Sequence, residues 1–155
     1  METVEFEGWV LKVDRDATLA AYADMEIATP PGCGCPDCMR FGSVRRSLFP
    51  TSVLPLLMRI GVDLDKEAEL SNFGPDENGR DNWWWFYHFV GAVVERPYEP
   101  RTKFVVPGTQ VTPAFSLSFN RDVDLVSPSF PKRAPLAQLD CFHYDRVRSN
   151  VITST

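Results

Sequence analysis

Three of the chain's four cysteines fall within six residues, at Cys33, Cys35 and Cys38. Thiols this close together typically bind a metal, exchange disulfides or form a cross-link. The two-residue spacing between Cys35 and Cys38 lets both thiolates reach one tetrahedral ion. This C-x-C-x2-C cluster is the clearest candidate for chemistry in the sequence, and zinc is its candidate cofactor.

A tetrahedral zinc site needs a fourth ligand, which the cluster does not contain. Cys141, His143 and His88 are the remaining candidates, and we assign Cys141. On an extended segment Cys141 and His143 point to the same face, so either of them could complete the site. The alternative is that Cys141 is a small core residue, as free cysteines often are. A structural role suits this site better than catalysis, because the chain has only two histidines.

Thiol redox chemistry is the rival interpretation of Cys35 and Cys38. If Cys35 were the N-cap of a helix with Pro36 at its first position, the helix dipole would lower the pKa of a thiol and make it reactive. However, no βαβ pattern precedes the cluster, and the extra Cys33 departs from the common dithiol motif. The sequence also has no G-x-S-x-G, H-E-x-x-H or Gly-rich phosphate motif. We therefore assign no catalytic residue.

The segment from Trp83 to Val94 is apolar on both alternating faces. Such a strand needs cover on both sides, so we expect it at the centre of a sheet. Its three consecutive tryptophans could instead form an exposed recognition stripe. His88 within it is either a buried, hydrogen-bonded histidine or a base for Cys38, and the buried role is the commoner one.

Alternating apolar residues predict further strands. The first runs from Val4 towards Val13, with 19–27 as its hairpin partner, and the sequence Thr29-Pro30-Pro31-Gly32 then ends regular structure. Later strands are predicted at Phe115–Phe119, at Val123–Leu125 as a short return strand, and at Leu136–Tyr144.

Helix signals occur between these two groups of strands. Ser52 is a good N-cap, Pro55 falls in the first turn, and Gly61 is a plausible left-handed C-cap. A second short helix is predicted from residue 64 or 65 to Asn72, with acids in its first turn that suit the helix dipole. The predicted class is therefore α+β, a mainly antiparallel sheet with a short helical hairpin packed on one face.

Length and composition indicate one ordinary domain, residues 1–155, with 149–155 as a frayed tail. The formal net charge of −5 argues against a nucleic-acid partner. No apolar stretch is long enough to span a bilayer as a helix, and the acidic first residues do not resemble a secretory signal. We expect a cytoplasmic protein whose thiols stay reduced, which disfavours a structural disulfide.

The middle of the chain, about 33–94, resembles a family of small uncharacterised bacterial proteins. The residues that carry the resemblance are the C-x-C-x2-C cluster, Ile60-Gly61-Val62-Asp63 and Tyr87-His88-Phe89-Val90-Gly91. The family has no established activity. The resemblance therefore implies a bacterial, cytoplasmic protein and adds weight to the cluster, but it implies no reaction.

Two functional hypotheses follow from these patterns. The first is a non-enzymatic protein that binds another protein, with a structural zinc site at the cysteine cluster. The second is a thiol-redox or metal-dependent enzyme that uses Cys35 and Cys38.

Overall fold

The computed structural model describes residues 1–26, 33–74, 76–77, 79–98 and 108–144. The described residues form three helices, α1 (Arg15–Asp24), α2 (Pro36–Leu48) and α3 (Leu54–Ile60). They also form seven strands, β1 (Glu2–Phe6), β2 (Trp9–Val13), β3 (Glu69–Asn72), β4 (Asn82–Glu95), β5 (Thr109–Gln110), β6 (Phe115–Asn120) and β7 (Leu136–Tyr144). The predictions made for residues 29–32 and 149–155 lie outside the described residues.

The strands form one antiparallel sheet in the order β1-β2-β4-β7-β6-β5, and β3 also pairs with β4. This confirms the predicted α+β class with a mainly antiparallel sheet. The long strand β4 is central, because β7 pairs with it on one side, while β3 and β2 share its other side. Trp83 and Trp85 are buried and Trp84 is half-buried on the opposite face, so the predicted central strand is confirmed.

Helices cover parts of both faces of this sheet. Phe41 of α2 and Leu57 of α3 pack with Trp85 in the main core. Tyr22 of α1 packs with Val90 in a second cluster on the other face, since Trp85 and Val90 point in opposite directions from β4. None of the described helices has the length and apolar character needed to cross a membrane.

Of the two helices in the predicted helical hairpin, the first is confirmed and the second is not. Helix α3 ends at Gly61 as predicted, with φ of 89°, although its N-cap is Val53 rather than Ser52. The second predicted helix is wrong, because 69–72 forms β3. Leu70 pairs with Trp85, and the preceding Ala68 N–H donates to the Phe86 carbonyl. Backbone pairing with the edge of β4 therefore outweighs the helical tendency of this segment. The second helix on this face is α2 instead.

The predicted opening strand is a hairpin. Glu7 and Gly8 have φ of 47° and 84°, and Phe6 pairs with Trp9, so a two-residue turn separates β1 from β2. Trp9 is consequently buried rather than on the polar side with Glu5.

Two other predicted strands are wrong. Residues 19–24 belong to α1, whose N-cap Asp14 accepts the Ala17 N–H at 3.0 Å. Residues 123–125 form no strand, because the Asp124 N–H donates to the Gln138 side chain and Leu125 has a left-handed φ of 52°. The strands predicted at 115–119 and 136–144 are confirmed as β6 and β7.

A candidate metal centre at the start of helix α2

The cysteine cluster lies at the beginning of α2. Cys35 is the N-cap, with extended φ and ψ of −68° and 156°, and Pro36 follows in the first turn. Proline suits this position because its missing N–H would have no partner within the helix. The Cys35 Sγ accepts the Cys38 N–H at 3.4 Å, so a thiol replaces the usual hydroxyl or carboxylate cap. The helix-start geometry considered for the redox hypothesis is therefore present.

Helix α2 is held to the sheet by the side that carries Phe41 and Arg45. Phe41 is fully buried, with its ring centroid 5.1 Å from that of Trp85, and the Arg45 guanidinium lies over the Phe41 ring. Cys38 lies one turn before Phe41 on the same side of the helix and is half-buried. Packing of the helix thus fixes Cys38 at the surface of the core.

The sulfurs of Cys33, Cys35 and Cys38 all lie within 4.8 Å of one another. Zinc–thiolate bonds of about 2.3 Å in tetrahedral geometry place sulfurs roughly 3.8 Å apart. Shifts of about 1 Å, which side-chain rotation can supply, would therefore bring all three sulfurs onto one ion. Thiolate donors are soft ligands and select ions such as zinc or copper(I). The cluster can hold a metal ion.

Cys141 is not part of this three-sulfur group. It is fully buried in β7, opposite Trp85 and Leu117, and burial raises the pKa of its thiol well above the usual value. The interpretation of Cys141 as a core residue is confirmed. This geometry does not support the assignment of Cys141 as the fourth ligand, which stays a prediction.

Neither histidine belongs to the group, and both are among the described residues. His88 is buried, with Nε2 3.3 Å from the Gln138 Oε1, and burial lowers its pKa. This confirms the prediction of a buried, hydrogen-bonded histidine. Because His88 points away from the face on which α2 packs, the sheet separates it from Cys38. The suggested pairing of a Cys38 nucleophile with a His88 base is wrong.

The thiols of the cluster are not equivalent. The hydrogen bond from the Cys38 N–H lowers the pKa of Cys35, with help from the neighbouring thiols. Burial and hydrogen bonds with the other two thiols raise the pKa of Cys38. Cys35 is exposed and Cys38 is half-buried. Cys35 is therefore the better thiolate at neutral pH, both as a ligand and as a nucleophile.

A polar network ties the first turn of α2 to the hairpin of β3 and β4. The Arg40 Nη2 lies 2.6 Å from Asp37 and 3.0 Å from Asp81. The Asn72 Nδ2 donates to Asp81 at 2.9 Å. Hydrogen bonds from Arg40 and Asn72 lower the pKa of Asp81. These residues position the cluster, and sequence reasoning missed them because no local pattern relates Arg40 to Asp81.

A separate cleft of about 430 Å³ lies between α1 and the loop before β7. Glu67 and His88 are among its lining residues, but they are only 0% and 1% exposed. Glu67 pairs with Arg45 at 2.5 Å, and burial raises the pKa of the Glu67 carboxyl. Glu67 and His88 thus each have a side-chain partner within the protein, and the cysteine cluster is the stronger functional candidate.

Comparison with protein-family models, with curated proteins and with solved structures found no match to this chain. The resemblance to small bacterial proteins with a C-x-C-x2-C cluster therefore stays a prediction.

Proposed function

We propose that this is a bacterial, cytoplasmic protein that binds another protein and holds one zinc ion through Cys33, Cys35 and Cys38. The observation that carries the metal proposal is the mutual distance of the three sulfurs, all within 4.8 Å. The donor set also supports it, because three thiolates suit zinc.

The zinc ion cross-links a short local segment of the chain. All three proposed ligands come from six consecutive residues, so the ion closes a short ring between the chain before α2 and the first turn of that helix. It does not join distant parts of the fold, which already has a continuous core. Zinc therefore orders the entrance to α2, and the rest of the domain stays folded without it.

The fourth coordination position belongs to the exposed side of the cluster, since Cys33 and Cys35 are both exposed. We therefore propose a water molecule or a side chain of the partner protein as the fourth ligand, in place of buried Cys141. A large exposed apolar side chain beside the cluster supports a protein partner. Met39, the residue after Cys38, is 66% exposed.

A competition titration tests the zinc proposal. Metal-free, fully reduced protein is titrated with zinc in the presence of a chromophoric chelator, and we expect one ion to bind per chain. The Cys141→Ala variant should bind with the same stoichiometry and with an affinity within about twofold of the wild type.

Two results would contradict this account. If the wild-type protein fails to take zinc from the chelator, the site does not exist. If Cys141→Ala weakens binding as strongly as loss of a cluster cysteine, Cys141 is a ligand and the site is not the exposed three-thiolate cluster.

A further inference from the structure

We infer that the metal-free cluster also performs thiol–disulfide exchange with small-molecule disulfides, with Cys35 as the attacking thiol and Cys38 as the resolving thiol. The inference concerns the same thiols as the proposed zinc site, but it needs no metal. It can be tested independently of the zinc proposal.

Cys35 and Cys38 are close enough to form a disulfide. Cys35 caps α2 and Cys38 lies in its first turn. Residues three apart on a helix have Cα atoms about 5 Å apart, which is within the range of about 4.4–6.8 Å that disulfides require. The sulfurs already lie within 4.8 Å. Side-chain rotation is therefore enough to join them, and α2 keeps its backbone.

Cys35 and Cys38 differ in their access to solvent. Cys35 is exposed, whereas Cys38 is half-buried on the side of α2 that carries Phe41. The Cys38 N–H donates to the Cys35 Sγ and holds that sulfur at the exposed end of the helix. An incoming disulfide therefore reaches Cys35 before Cys38. Cys38 is placed beside the mixed disulfide that forms, where it can attack the Cys35 sulfur.

The exchange proceeds in two balanced steps. The Cys35 thiolate attacks one sulfur of the substrate disulfide, whose S–S bond breaks and releases one thiolate, which takes a proton from water. Cys38 gives its proton to solvent and attacks the Cys35 sulfur, which breaks the mixed disulfide and releases the second thiol. Two electrons pass from the protein to the substrate, one disulfide becomes two thiols, and a Cys35–Cys38 disulfide forms.

Cys33 is left as a free thiol by this reaction. The oxidised cluster then keeps one of its three sulfur ligands, so zinc and the disulfide exclude each other. Zinc binding should protect the thiols from exchange, and oxidation should release the ion.

The test uses metal-free, reduced, full-length protein and glutathione disulfide as the probe. Released glutathione is counted per chain, and the modified cysteines are located by peptide mass spectrometry. Wild-type protein should release two glutathiones and form the Cys35–Cys38 disulfide. Cys38→Ser should release one glutathione and keep the other on Cys35. Cys35→Ser should lose the fast reaction, and circular dichroism should show that it is still folded.

Three results would overturn the inference: one glutathione released by the wild type, two released by Cys38→Ser, or an unchanged fast rate in Cys35→Ser. The same preparation is titrated with zinc to separate the two proposals. Zinc binding without exchange rejects this inference alone, and exchange without zinc binding rejects the zinc proposal alone.

Discussion

Replacing Cys35 with serine is expected to weaken zinc binding at least about a hundredfold. Loss of a residue that only supports a metal ligand costs roughly 10–100-fold in affinity, and loss of the ligand itself should cost more. The variant should still fold. Serine is a favoured N-cap, so Ser can accept the N–H that Cys35 accepts from Cys38. The measurement is zinc affinity by chelator competition, together with the free energy of unfolding of the metal-free protein in urea.

The other cluster cysteines provide the comparison. Cys33→Ser and Cys38→Ser should weaken zinc binding to a similar extent. In the absence of metal, the unfolding free energy of Cys35→Ser should stay within about 0.5 kcal/mol of the wild type, as is usual for exposed positions. A Cys35→Ser variant with wild-type zinc affinity would show that Cys35 is not a ligand.

Gly91→Ala is expected to have the largest effect on stability, a loss of about 3 kcal/mol or more. Gly91 has φ of 157°, and a Cβ there would lie 2.1 Å from the Lys12 carbonyl oxygen. Both atoms belong to paired backbone, since Gly91 of β4 lies opposite Val13 of β2. The clash can be relieved only by moving one strand, and overpacking of this kind costs about 1–3 kcal/mol or more. Urea unfolding of the two proteins measures the difference.

Gly42→Ala is the matched control. Gly42 lies on the exposed side of α2, and a Cβ added there would meet nothing within 4 Å. Alanine is a better helix former than glycine, so this variant should gain up to about 1 kcal/mol. If Gly91→Ala and Gly42→Ala had the same stability, the close approach of β2 to β4 would be refuted.

The strands that were predictable are those whose pattern directly reflects burial. Trp83–Val94 is apolar on both faces because β4 is central, and Phe115–Phe119 alternates because β6 has one buried face. The Glu7-Gly8 turn has only a weak sequence signal, which is a glycine within a continuous alternating pattern. Interpreting this glycine as a turn would have divided β1 from β2.

Hydrophobic periodicity could not predict helix α2. Its buried side contains Arg45, which pairs with Glu67 22 residues away, so an essential position of the helix looks polar in sequence. Strand β3 was missed for a related reason. The acidic residues before it favour a helix start, and only the presence of β4 beside it provides strand partners.

The cysteine cluster was predictable because its spacing is local. Six residues of sequence were enough to bring three sulfurs together at a helix start. The positioning network of Arg40, Asn72 and Asp81 joins three elements and carries no local signature. His88 is separated from the cluster because it lies on the other face of the sheet, whereas Cys141 is separated because it is buried in the core on the face that α2 covers.

The most direct test of the zinc proposal is the native mass of protein purified under reducing conditions without chelator, combined with a count of reactive thiols. The account predicts one zinc ion per chain and a cluster protected from a thiol reagent. Chelation should then expose the cluster to the reagent, with Cys35 reacting faster than half-buried Cys38, and buried Cys141 reacting slowly. A metal-free native mass, with the cluster thiols already reactive before chelation, would contradict this prediction.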